Sequence, residues 1–119
     1  DIKLSKDYKP AATIAQLGQV FIHPEWANVG VLCHEACHVS YSLLSIEQKA
    51  AFVNEYKRLL LTDKMLNFLY KTKPYMKQNS IEAHAEIGRY IGQYMAQTLK
   101  PFYPRLFEDV GVNCQYGTI

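Results

Sequence analysis

Charge of one sign is what this chain lacks most: 13 basic against 11 acidic side chains leave a net +2 over 119 residues. Such a surface has no field with which to gather nucleic acid or an anionic membrane. Long apolar runs are missing as well. No stretch approaches the ~18 to 20 residues that cross a bilayer, so no transmembrane segment is expected. Cysteine is scarce, and the three thiols, Cys33, Cys37 and Cys114, cannot all pair. Cys33 and Cys37 lie one helical turn apart, which speaks against a small disulfide framework of the secreted kind. The chain opens on Asp1 rather than methionine, as a trimmed or processed chain does, so a leader would be out of sight and localisation, secreted or cytoplasmic, stays open. What the sequence does have is an apolar content of 49% in a length that suits one domain, 1–119, with a tail from about residue 100.

Gln19-Val-Phe-Ile-His23 is rich in β-branched and aromatic residues, as strands are, and stops at Pro24. Ala11 to Leu17 reads equally as a strand or a short turn. From about Trp26 to Leu44 the apolar residues Val29, Leu32, Ala36, Val39 and Leu43 recur at helical spacing. Ser45-Ile-Glu-Gln48 predicts a capping box that opens a helix through Leu61, with Ile46, Ala50, Val53 and Leu60 on its inner face. A shorter helix over Thr62 to Thr72 cannot continue past Pro74. A last helix is expected from Ser80 to about Leu99, before Pro101 and Pro104. Gly88 and Gly92 lie on its apolar stripe, and each costs about 1 kcal/mol in a helix relative to alanine, a cost that close approach of another helix explains.

The chemistry concentrates at His34-Glu35-Ala-Cys-His38. Two imidazoles at i and i+4 on a helix stand close enough to chelate one ion, and both fall on the side opposite the apolar stripe. Four histidines and seven glutamates in 119 residues produce this pattern by accident on the order of one time in a hundred. Cys33 and Cys37 could in principle join the histidines in a structural site. Yet the two pairs sit about 100° apart around the helix, so Cys33 suits core packing and Cys37 the border between core and cleft. A catalytic site needs a third protein ligand and an open position. A third histidine close by would require a glycine and then a histidine where the chain has Tyr41 and Leu44, so that solution is absent. Downstream, Glu82 and Glu86 share one helix face with Arg89, whereas His84 points away. One such carboxylate can bind a metal while the other orients a ligand imidazole. Their plainer uses are Glu82 closing a capping box with Asn79 and Glu86 pairing with Arg89.

His-Glu-Ala-Cys-His at 34–38 and Glu-Ala-His-Ala-Glu at 82–86 together resemble the gluzincin zinc metallopeptidases, in which HExxH is completed by a glutamate on a later helix. The likeness is to the small and toxin-type branches: the minigluzincins and the catalytic domains of anthrax lethal factor and the Pro-Pro endopeptidases. The resemblance implies Zn2+ held by His34, His38 and Glu82, with Glu86 behind them and Glu35 as catalytic base. In the last two groups a catalytic tyrosine stands seven residues before the glutamate ligand, and that position here is Tyr75. A phenol there could donate to the oxyanion as it forms.

The fold expected is α+β: a small twisted sheet whose edge strand includes Gln19 to His23, laid over the HExxH helix, with a mostly helical C-terminal half. The expected function is a zinc-dependent endopeptidase acting on a peptide or protein held in extended form along that edge. The alternative is a non-catalytic zinc-binding interaction module of peptidase-like fold. The tail, Gly111 to Ile119, has two glycines and no helical period. It is expected to dock, either on the protein's own surface or in the cleft, where Cys114 or the terminal carboxylate would restrain activity.

Overall fold

The computed structural model describes residues 2–91 together with Leu99 and Phe102. Its architecture is α+β. Three short strands, β1 (Ile2–Leu4), β2 (Ala11–Ile14) and β3 (Gln19–Ile22), precede four helices, α1 (Val29–Ser42), α2 (Ile46–Thr62), α3 (Lys64–Thr72) and α4 (Ser80–Ile91). Sheet order is β1-β3-β2, with β1 parallel and β2 antiparallel to β3.

The expected edge strand, Gln19 to His23, is therefore the central strand. Val20 and Ile22 are buried against Val31 of α1, an alternation that marks one buried face and leaves the strand's place in the sheet to its partners. The edges are β1 and β2, and β2 is the stretch that the sequence left undecided. It is strand over Ala11–Ile14 and a 3-10 turn over Ala15–Leu17, ended by Gly18 in the left-handed region at φ 63°, where a glycine costs no steric strain.

Helix boundaries follow local chemistry. Asn28 Oδ1 accepts from Val31 N–H at 2.9 Å and starts α1. The Ser45 and Gln48 capping box closes in both directions, at 3.1 and 2.9 Å. Asp63 caps α3 through Leu66 N–H, which is why the chain breaks between α2 and α3 without a glycine.

The inner face of α2 is only partly the expected one: Val53 and Leu60 pack half-buried against the core, but Ala50 is exposed. Ile46 is 82% exposed, and Phe52, Tyr56 and Leu59 are buried instead. The reason is an aromatic cluster: Phe52 stacks with Tyr56 at 6.0 Å and meets Tyr41, His84 and Phe102 edge-on. That cluster draws the aromatic side of α2 inward in preference to its aliphatic one. Burial pushes the Tyr56 phenol up to about 12, and its hydroxyl donates to Met76 O at 3.2 Å. On α1 the burial includes Val31, Cys33, Cys37 and Tyr41 as well as Ala36, because the sheet covers one side and α4 the other. The two helices run antiparallel: Ser80 meets Tyr41, Glu82 meets His38 and His34, and Glu86 meets His34.

Candidate metal centre

α1 and α4 present their polar residues to one another beneath β2. His34, Glu35 and His38 each offer one ligand atom, all within 4.8 Å of one another, and this group could hold a metal ion. The imidazole rings stand edge to face with centroids 5.0 Å apart. His34 is only 7% exposed, so the polar side of α1 is the floor of a cleft rather than plain surface.

Each group has a defined partner. His34 Nδ1 lies 2.8 Å from Glu86 Oε2. A carboxylate accepts, so Nδ1 carries the hydrogen and Nε2 keeps its lone pair for the cleft. Burial pushes the His34 imidazole down, but the hydrogen bond to Glu86 and the charges of Glu86, Glu35 and Glu82 outweigh it, leaving it above its usual range. His38 goes the other way. Burial holds it below its usual range, helped by His34 and opposed chiefly by Glu82.

Glu82 enters from the first turn of α4. Its N–H donates to Asn79 Oδ1 at 2.9 Å, half of the expected capping box. Its carboxylate reaches across instead, placing Oε2 3.3 Å from His34 Nε2 and 3.5 Å from His38 Nε2. That oxygen is buried and has no hydrogen-bond partner. Glu86 is 2% exposed and engaged with His34, so it does not serve as a surface partner of Arg89.

Glu35 points to the strand side. Thr13 Oγ1, on β2, donates to Glu35 Oε1 at 2.8 Å and also lies 3.2 Å from Glu35 O. Glu35 Oε2 stands 3.8 Å from His34 Nε2. Tyr75, on a 3-10 turn over Pro74–Lys77, is 45% exposed, with its ring 5.7 Å from that of His34. Thr13, Glu35, Tyr75 and Glu82 all border a cleft of about 550 Å³.

His84 lies away from this group, as its helical position predicts. It is fully buried among Tyr41 and Phe52, with Nε2 donating to Phe102 O at 2.9 Å. Burial pushes it down to about 3. Neither cysteine belongs to the metal group. Cys37 is free but wholly buried in the core, not at a cleft border, and burial drives its thiol far above the usual range. Cys33 is also buried, and it is disulfide-bonded, where packing alone was expected. The tail expected to dock, Cys114 included, and Gly92 likewise lie outside the described residues.

Thr13 is the contact that sequence reasoning missed. Nothing in Ala-Ala-Thr-Ile marks it, because its meeting with Glu35 depends on how β2 crosses α1. Compared with known proteins, the chain matches no family model, no curated protein and no solved structure.

Proposed function

We propose that the chain is a zinc-dependent peptidase of gluzincin type, with zinc held by His34, His38 and Glu82. Two carboxylates stand beside the imidazoles, and their surroundings separate their roles. Glu35 Oε1 is already taken by Thr13, and Oε2 is 3.8 Å from the nearer imidazole. Glu82 Oε2 is nearer to both and is buried without a hydrogen bond. Donor atoms around a tetrahedral ion with bonds of about 2.0 to 2.1 Å stand about 3.3 to 3.4 Å apart. The separations of 3.3 and 3.5 Å fit that spacing, and this is the observation that carries the reading. A buried carboxylate oxygen beside two imidazole nitrogens is costly without a shared cation.

Zinc, when bound, acts as a Lewis acid and lowers the pKa of a water from 15.7 to about 7. The chain's own residues supply the rest. Glu35 takes the proton of the attacking water and passes it to the leaving amine. Glu86 keeps the His34 ring in one orientation and one tautomer. Tyr75, on the cleft rim, donates its phenol hydrogen to the developing oxyanion. An extended peptide would pair along the outer side of β2, which borders the cleft and has no strand partner among the described residues.

The deciding experiment is metal analysis joined to a peptide-library digest, comparing the parent with Glu35→Gln. The expected outcome is one zinc in each, with hydrolysis reduced by several orders of magnitude in the variant. Equal cleavage by both would remove Glu35 as base. Stoichiometric zinc with no cleavage by the parent would favour the non-catalytic zinc module.

A further inference from the structure

Arg89 lies on α4 one turn beyond Glu86 and two turns beyond Glu82, on the wall of the same cleft. Its Nε is buried without a hydrogen-bond partner. The guanidinium sits over the Tyr90 ring, 5.2 Å from its centroid. No carboxylate among the described residues forms an ion pair with it, and the nearest acid on its helix, Glu86, is committed to His34 at 2.8 Å. Buried polar groups are almost always hydrogen-bonded, and a guanidinium does not lose its charge to escape the cost. An arginine held over an aromatic ring on the wall of a cleft, with no carboxylate partner among the described residues, presents a guanidinium that an incoming carboxylate can engage.

We infer that Arg89 recognises a carboxylate of the bound peptide, supplied by an acidic side chain or by the peptide's C-terminus. The inference rests on the peptidase reading above. Because α4 runs antiparallel to α1, Arg89 comes level with the residues before His34, and Val31 lines the same cleft. The carboxylate therefore belongs on the His34 side of the metal group. Lys49, also on the cleft wall, is tied to the opposite end, where its amine lies 5.4 Å from the centroid of the Tyr41 ring.

The test is a position-scanned peptide library carrying one glutamate, each member made as free acid and as C-terminal amide, digested by the zinc-loaded protein. One fixed offset from the scissile bond should raise kcat/KM by about 10- to 100-fold, the range of a charge-assisted contact. Arg89→Gln should abolish the preference with zinc content unchanged, Arg89→Lys should keep part of it, and Lys49→Gln should leave that offset unaltered. A preference that follows the glutamate and survives amidation identifies a side chain, and a preference for free acid over amide, whatever the position of the glutamate, identifies the C-terminus. Absence of any acidic preference, or the same preference in Arg89→Gln, would overturn the inference. Should Arg89→Gln fail to fold, the parent's own preference and the partial effect of Arg89→Lys decide. A separate arm measures binding of the fluorescent library peptides to zinc-loaded Glu35→Gln. Tighter binding of the glutamate peptides, lost with Arg89→Lys or Arg89→Gln, supports the inference even if the parent cleaves nothing and the peptidase reading fails. Equal binding of glutamate and glutamine peptides, with no preference for free acid over amide, counts against it.

Discussion

Replacing Thr13 with valine removes a single hydroxyl and keeps the branched shape that a strand prefers. That hydroxyl has one hydrogen and two acceptors, Glu35 Oε1 at 2.8 Å and Glu35 O at 3.2 Å. The shorter contact, to a charged oxygen, takes the hydrogen. Hydrogen bonds to charged groups contribute about 1.5 to 3 kcal/mol, and Thr13 is half-buried, which favours the lower part of that range. If the bond holds the Glu35 carboxylate in its working position, its loss should lower kcat by about 10- to 100-fold, since about 1.4 kcal/mol is tenfold in rate. KM and zinc content should hardly change, because Thr13 touches neither imidazole ligand. Thr13→Ser restores the donor and should recover most of the loss, which a defect of strand packing would not allow. Steady-state kinetics on a fluorogenic peptide reads both parameters. Independently of turnover, a double-mutant cycle of Thr13→Val with Glu35→Gln on unfolding free energy should show coupling of at least about 0.5 kcal/mol. Unchanged kcat, a serine variant as poor as the valine one, or a rise in activity would refute the positioning role; a rise would mean that Thr13 restrains the base.

Glu82→Ala should lower zinc content sharply while His84→Ala leaves it intact, and equal loss in the two would sink the ligand assignment. His84 also gives a pH prediction in the metal-free protein. Its imidazole is held down to about 3 by burial, so the unfolded chain binds its proton more readily than the folded one. The stability it contributes is complete above the unfolded value of about 6.5 and falls with pH toward about 3, at up to about 1.4 kcal/mol per pH unit. Denaturant midpoints measured between pH 6.5 and pH 4 should therefore fall less steeply in His84→Gln than in the parent, and parallel slopes would show that His84 is protonated in the fold.

The parts of the site that the sequence disclosed are those governed by helical spacing. His34 and His38 one turn apart, and Glu82 and Glu86 one turn apart on the opposite face from His84, follow from 100° per residue and hold in the structure. The Ser45 and Gln48 capping box disclosed the start of α2 for the same reason, whereas the caps Asn28 and Asp63 went unread and α1 and α3 begin two or three residues later than expected, at Val29 and Lys64. Where the outcome depends on what packs against an element, local pattern was a poor guide. The aliphatic and aromatic faces of α2 are both apolar enough to be buried, and only the His84 and Tyr41 cluster decides between them. Likewise Gln19–Ile22 reads as a strand whether it is central or at the edge.

That division bears on how the centre is held together. Its imidazoles and the Glu82 carboxylate come from two helices whose registers are set by caps and by the Ser80 to Tyr41 contact at 3.1 Å, so the proposed ligands stand on rigid elements. Glu35 differs in being steadied across the cleft by Thr13, on a four-residue edge strand. A peptide pairing with the outer side of β2 would lie against the strand that holds the base. In the proposed mechanism Thr13 would thus tie substrate main chain to general base, and a substitution that shifts β2 along β3 should impair catalysis before it impairs metal binding.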